Sequence, residues 1–266
     1  GQEESQVQLL LAAANNAHLL GREKRAHARF QRGLIRLRTK LKKHVIRTPL
    51  WTPFLSAISG MQRCSAEDLS LTMNIYRERA RMAENFQFLD RLKDVLLIAR
   101  LPEKTLPLFE LLLDQKPQSR RLQLQYARSL QAAGSYEQAE DIFEHLAQKR
   151  TTADPAEDAP DYEVMLGAAN NALALGRRPT ASRLYRETVA ALEPLIIRDF
   201  SDTRYWQAFL SALSGLNTVP AGNIEQVLEI YRNRDLYDEQ VDFLANLGHV
   251  MVLMGEQRPA IDLLKQ

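Results

Sequence analysis

The chain has 266 residues with only 11 glycines, 11 prolines and one cysteine, and its 35 Lys and Arg against 33 Asp and Glu leave a net charge of +2. Leu, Ala, Gln, Glu and Arg dominate, which are strong helix formers, so the composition implies an all-α protein and excludes a large sheet. The lone Cys64 excludes an intramolecular disulfide framework and a multi-cysteine metal site, and no run of 18 apolar residues marks a membrane span.

Apolar residues at helical spacing begin with a segment holding Ala13, Ala14, Asn15, Asn16 and Ala17, which closes at Gly21. A long helix follows from Arg22 to His44, with Ala26, Phe30, Leu34, Leu37 and Leu41 forming its buried stripe. Further turn signals stand at Thr48 and Pro49, Gly60, Pro102, Pro117 and Gly134. Thr151 to Pro160 is polar and proline-bracketed, and it reads as a loop. Beyond it the signals resume at Gly176, Ser201, Gly215 and Gly255. Helices of that length joined by short turns make antiparallel hairpins. The chain starts on Gly1 and stops on Leu263, Leu264, Lys265 and Gln266 in mid-pattern, so a piece of a longer polypeptide is expected.

A shift of 155 residues aligns Leu11–Leu108 with Leu166–Leu263 without gaps, at 30 identities in 98 positions. Ala13–Ala17 match Ala168–Ala172. Trp51, Phe54, Leu55, Ser56, Ala57, Ser59 and Gly60 match Trp206, Phe209, Leu210, Ser211, Ala212, Ser214 and Gly215. The chain is therefore an internal duplication. The reading divides it into a four-hairpin unit over residues 1–150, a loop over 151–160 and a truncated three-hairpin unit over 161–266, packed continuously. The charge divides too: residues 1–150 carry +9 and residues 151–266 carry −7.

The pattern Ala127, Gly134, Tyr136, Ala139, Phe143 and Leu146 resembles the tetratricopeptide (TPR) signature: a small residue and an aromatic in the second helix, after a glycine-marked turn. Gly21, Ala26 and Phe30 repeat it, as do Gly176, Ala181 and Tyr185, and Gly248, Gly255 and Ala260. The resemblance implies a right-handed superhelical stack of about seven hairpins with a concave face lined by each first helix. It departs around Trp51 and Trp206, where the turns are longer, and in the long helix from Arg22. The two Trp, with Phe54 and Phe209, read as core.

Polar residues on that first-helix face are the candidate binding residues. They are Gln8, Asn15 and His18, then Gln87, Asp90, Arg91 and Asp94, then Arg121, Gln125, Arg128 and Gln131, then Glu163, Asn170, Asp242, Asn246 and His249. The resemblance implies that Asn15 faces the groove and bonds a peptide. The alternative for each Asn pair is a bond to a neighbouring helix's backbone. Leu11 and Leu166 stand where a carboxylate clamp of this family carries Lys. The second candidate is the basic helix, where Arg25, Arg29, Arg32, Arg36, Lys40 and Lys43 share one side. It suits an acidic protein surface or an anionic polymer, or it is a solvated face. Near-neutral overall charge and the lack of interleaved aromatics argue against nucleic acid.

The five His form no metal-ligand spacing, and there is no phosphate loop or serine elbow. The sequence thus predicts a non-catalytic interaction scaffold without cofactor or metal, able to self-associate through exposed apolar ends. Arg outnumbers Lys by 26 to 9, as in GC-rich bacterial genomes. The style of the array resembles the periplasmic TPR regions of bacterial exopolysaccharide export proteins. A cytoplasmic TPR regulator or peptide sensor, and a nucleic-acid-binding repeat acting through residues 22–47, are the alternatives.

Overall fold

The computed structural model describes residues 2–20, 22–43, 48–148, 161–200, 202–233, 241–256 and 259–260. The expected loop at 151–160 lies outside them. Among the described residues all regular structure is helical. Contacts group the chain into two compact units, Gly1–Leu122 and Gln123–Gln266. This division differs from the one the duplication suggests at 150 and 161, because the hairpin before the loop packs onto the helix after it.

The first unit holds α1 (Gln2–Leu19), α2 (Glu23–Lys43), α3 (Trp51–Met61), α4 (Ala66–Arg77), α5 (Phe86–Ile98) and α6 (Pro102–Gln115). α1 packs on α2, α2 on α3, and α5 on α6, as a stack of hairpins. The irregularity expected near Trp51 is visible in the packing. α3 lies between α2 and α5, and the short α4 meets its neighbours only lightly. Trp51 and Phe54 are fully buried, with the Trp51 ring 5.6 Å from that of Phe88. Each such ring contributes roughly 2–3 kcal/mol by leaving water. Local sequence sets the helix starts. Ser65 and Asp68 form a capping box on α4, Asn85 accepts from the Phe88 N–H at 3.0 Å to start α5, and Pro102 opens α6.

α7 (Arg120–Ala132) carries the division between the units. After it come α8 (Tyr136–Gln148), α9 (Asp161–Ala174), α10 (Arg178–Arg198), α11 (Thr203–Leu216), α12 (Ile224–Arg232) and α13 (Val241–Leu253). In the second unit α8 packs on α9, α9 on α10, α10 on α11, and α11 on α13. α2 and α10, the duplicated long helices, both run 21 residues. Gly134 and Gly176 end their helices at φ +82° and +75°, a conformation glycine adopts without strain.

Two of the expected turn glycines are corrected. Gly60 and Gly215 lie inside α3 and α11, and the chain turns just after them, at Gln62 and Asn217. Their role is close approach. Phe30 lies over Gly60, Tyr185 over Gly215, and Phe143 over Gly167, each ring so near that a methyl there would stand 2.4, 2.3 and 2.4 Å away. In these three hairpins the second-helix aromatic thus seats in a hole on the next first helix.

Candidate functional site

In the second unit the first helices of successive hairpins, α7, α9, α11 and α13, are bridged by polar side chains about 35 residues apart. Arg128 pairs with Glu163 at 3.0 Å, and Gln131 donates to the Gly167 carbonyl at 2.9 Å. Asn246 donates to Ser211 Oγ at 2.8 Å, and Ser214 Oγ is 2.7 Å from His249 Nδ1. Between these bridges the face opens into a groove of about 430 Å³. α7 supplies Arg128 and Gln131, α9 supplies Glu163 and Asn170, and α11 supplies Arg204, Gln207 and Ser211.

The groove's polar groups are held in place. The Tyr185 hydroxyl donates to Asn170 Oδ1 at 2.6 Å, which turns the amide nitrogen of the exposed Asn170 away from the core. Burial raises the Tyr185 pKa, so the hydroxyl stays a donor at neutral pH. Arg204 makes a two-pronged pair with Asp202, at 2.9 and 2.6 Å, yet its side chain is 81% exposed. The hydrogen bond from Arg204 holds the Asp202 carboxyl below the usual carboxylate range. An adjoining cavity of about 400 Å³ shares Tyr162 and Arg204. There Tyr162 and Tyr205 meet edge to face at 5.9 Å, and burial pushes the Tyr162 phenol up to about 12.

The Asn pair of the second copy divides the two roles the sequence left open. Asn170 lines the groove, while Asn171 is 1% exposed and donates to the Tyr136 carbonyl at the start of α8, at 2.9 Å. In the first copy Asn15 and Asn16 are both exposed. The side chains of Gln8, His18 and Asp242 lie outside the described residues.

Of the remaining first-helix candidates, Arg128 and Asn170 share the groove, Gln125 is half-buried, and Arg121 and Gln87 are exposed. Asp90, Arg91 and Asp94 form a cluster around a residue the sequence reading passed over. Lys93 is 2% exposed, 2.7 Å from Asp90 and 3.2 Å from Asp94, with its ammonium 5.6 Å above the Phe109 ring. Arg91 joins at 3.3 Å from Asp94. Those carboxylates compensate a buried charge. Arg204, Gln207 and Ser211 were also missed. Their signal was three polar residues spaced three and four apart in the apolar Trp206 helix.

On α2, Arg25, Arg32, Arg36 and Lys43 are exposed, and Arg29 and Lys40 are half-buried. Arg29 donates to the Ala13 carbonyl at 2.6 Å, so it ties α2 to α1. Two further cations of this helix are engaged by α4. Arg38 makes a two-pronged pair with the buried Asp68, both bonds 2.7 Å, and Lys42 pairs with Glu67 at 2.6 Å. Burial pushes the Asp68 carboxyl up, but the hydrogen bonds from Arg38 and Ser65 outweigh it and hold the pKa below the usual range. Burial pushes the Cys64 thiol up to about 11, so it is no thiolate at neutral pH. Among the described residues no cluster of three His, Cys, Asp or Glu suits a metal, and no helix is long and apolar enough to cross a membrane.

No protein-family model and no curated protein matches the chain. Among solved structures it is similar to a tetratricopeptide repeat protein from Parabacteroides merdae, at 13% identity and a TM-score of 0.55. That similarity covers 100% of this chain and 92% of the other. At this identity the likeness concerns the fold, which is an all-α, TPR-like solenoid.

Proposed function

We propose that the chain is a non-catalytic protein–protein interaction scaffold whose second unit seats an extended polypeptide along α7, α9 and α11. TPR-like folds generally mediate protein–protein interaction. The observation that carries the reading is the groove itself: an open channel lined by the Asn170 amide and the Arg128 and Arg204 side chains. Such donors match the carbonyls and carboxylates of an extended chain, and Tyr162 offers apolar surface beside them.

The finer reading is a scaffold of a bacterial envelope assembly of the exopolysaccharide-export kind, working in the periplasm. It is supported by the sequence's resemblance in style to such arrays and by the excess of Arg over Lys. The exposed cations of α2 offer a second contact, for an acidic protein surface or an anionic polymer.

A photo-crosslinking residue at Gln207 in the native host tests both levels. One dominant partner protein is expected, released with the periplasmic fraction by osmotic shock. Asn170→Ala combined with Arg204→Glu should reduce its capture while helicity is kept. Capture unaffected by that pair removes the groove as the seat, and recovery of the adduct in spheroplasts restores the cytoplasmic regulator. Salt-sensitive binding of an oligonucleotide, abolished by Arg32→Glu and Arg36→Glu, would restore the nucleic-acid reading.

A further inference from the structure

The duplication supplies an internal control for the cavity that adjoins the groove. Where α9 and α11 begin, beside the last turns of α10, the residues Asp161, Tyr162, Ala191, Leu195, Arg204 and Tyr205 line about 400 Å³. Tyr162 and Arg204 line the groove as well, so a chain lying in the groove passes the mouth of this pocket.

The offset of 155 residues puts Val7, Arg36, Lys40, Pro49 and Leu50 at the places of Tyr162, Ala191, Leu195, Arg204 and Tyr205. Packing of the stack does not require these exchanges, because its core is the same nearby: Trp51 and Phe54 recur as Trp206 and Phe209, fully buried in both copies. Val7 and Leu50 are buried, whereas Tyr162 and Tyr205 are half-buried and carry their rings out to the cavity. Ala191 and Leu195 stand where the first copy has two cations, so the same wall is uncharged. Solvated surface exchanges one polar residue for another. Four exchanges that put ring or aliphatic surface around one cavity mark a seat for an apolar side chain.

We infer that the pocket seats an aromatic side chain of the polypeptide in the groove, with an acidic residue next to it in that polypeptide. The inference rests on the reading of the groove as a peptide seat. An aromatic occupant fits because Tyr162 and Tyr205 meet edge to face, with centroids 5.9 Å apart and planes at 80°. A third ring in that corner meets the face of one tyrosine and the edge of the other. Burial pushes the Tyr162 phenol up to about 12, so the ring carries no charge at neutral pH to oppose an acidic neighbour. The acidic neighbour follows from Arg204. Asp202 takes its Nε and Nη2 donors, and with the side chain 81% exposed the Nη1 end is open to a second carboxylate. Among the described residues the groove lining carries Arg128 and Arg204 against one carboxylate, Glu163, which favours an anion there.

The test uses random peptides of about twelve residues, displayed on phage and selected against the whole chain. Selected peptides should carry Phe, Tyr or Trp at one shared position, about tenfold or more above the unselected library, with Asp or Glu beside it. The control variant transplants the first copy: Tyr162→Val with Tyr205→Leu should still select peptides but lose the aromatic enrichment, and circular dichroism checks its helicity. In one selected peptide, replacing the aromatic residue by Leu should weaken binding to the wild type about threefold to tenfold by fluorescence anisotropy. Arg204→Gln should erase the acidic preference. Enrichment of Leu, Ile or Val in place of the aromatic residue, or aromatic enrichment that persists in the control variant, overturns the pocket. The groove reading survives that result if Asn170→Ala with Arg204→Glu abolishes selection. Selection that this last pair leaves intact, or no selected peptide at all, overturns both.

Discussion

The clasp between α2 and α4 allows a sharp test, since the second copy solves the same position with different chemistry. Arg38 and Asp68 match Glu193 and Asn223, and there the Asn223 amide donates to the Glu193 carboxylate. Transplanting that pair means Arg38→Glu with Asp68→Asn. Arg38→Glu alone sets a carboxylate against Asp68, whose side chain is 2% exposed, and it removes both 2.7 Å bonds. Breaking a buried pair costs about 3–5 kcal/mol, and the 25% exposure of Arg38 puts this one near the lower figure. Asp68→Asn alone keeps an acceptor for Arg38 and costs about 1–2 kcal/mol. The double variant should lie within about 1 kcal/mol of wild type, a coupling of roughly 3 kcal/mol. Urea titrations followed by circular dichroism measure all four corners. The Arg38→Glu single variant should also lose roughly 10 °C of melting temperature. Additive single effects would refute the clasp.

The same pair sets a pH dependence. The folded Asp68 pKa is depressed, so its contribution is present above the unfolded value near 4 and is lost as pH falls through the folded value. Wild type should therefore lose more stability than the double variant between about pH 4 and pH 2.

Other changes follow from the same comparison of copies. Thr72 is fully buried with its hydroxyl unpaired, and the second copy has Val227 there, so Thr72→Val should stabilise by about 1 kcal/mol in the same titrations. Gly167→Ala sets a methyl 2.4 Å from the Phe143 ring and should cost about 1–3 kcal/mol, with Phe143→Leu recovering part of it. Tyr185→Phe copies the Phe30–Gly60 contact, so it should cost only about 0.5–1.5 kcal/mol. Its larger effect should be on partner capture at Gln207, because Asn170 loses the bond that orients its amide.

The all-helical class and the duplication were legible in the chain, because helical periodicity and repetition are properties of one dimension. The 21-residue α2 and α10, the buried Trp51 and Trp206, and the all-α class follow from spacing alone. Gly60 and Gly215 mislead at that level. A glycine in sequence signals a turn or a hole equally, and only the ring of Phe30 or Tyr185, some 30 residues earlier, decides between them. The binding face was half legible. Arg128 and Asn170 could be projected from helix register, but Arg204 and Gln207 sit in an apolar helix, and their place in the groove depends on how α11 packs. Asn170 and Asn171 are chemically identical neighbours, and about 100° of helix rotation sends one to solvent and the other to the backbone of α8. Arg38 was one cation among eleven until packing set Asp68 beside it. Sequence fixes which residues a helix carries and on which side, whereas the neighbour that each side meets is a property of the stack.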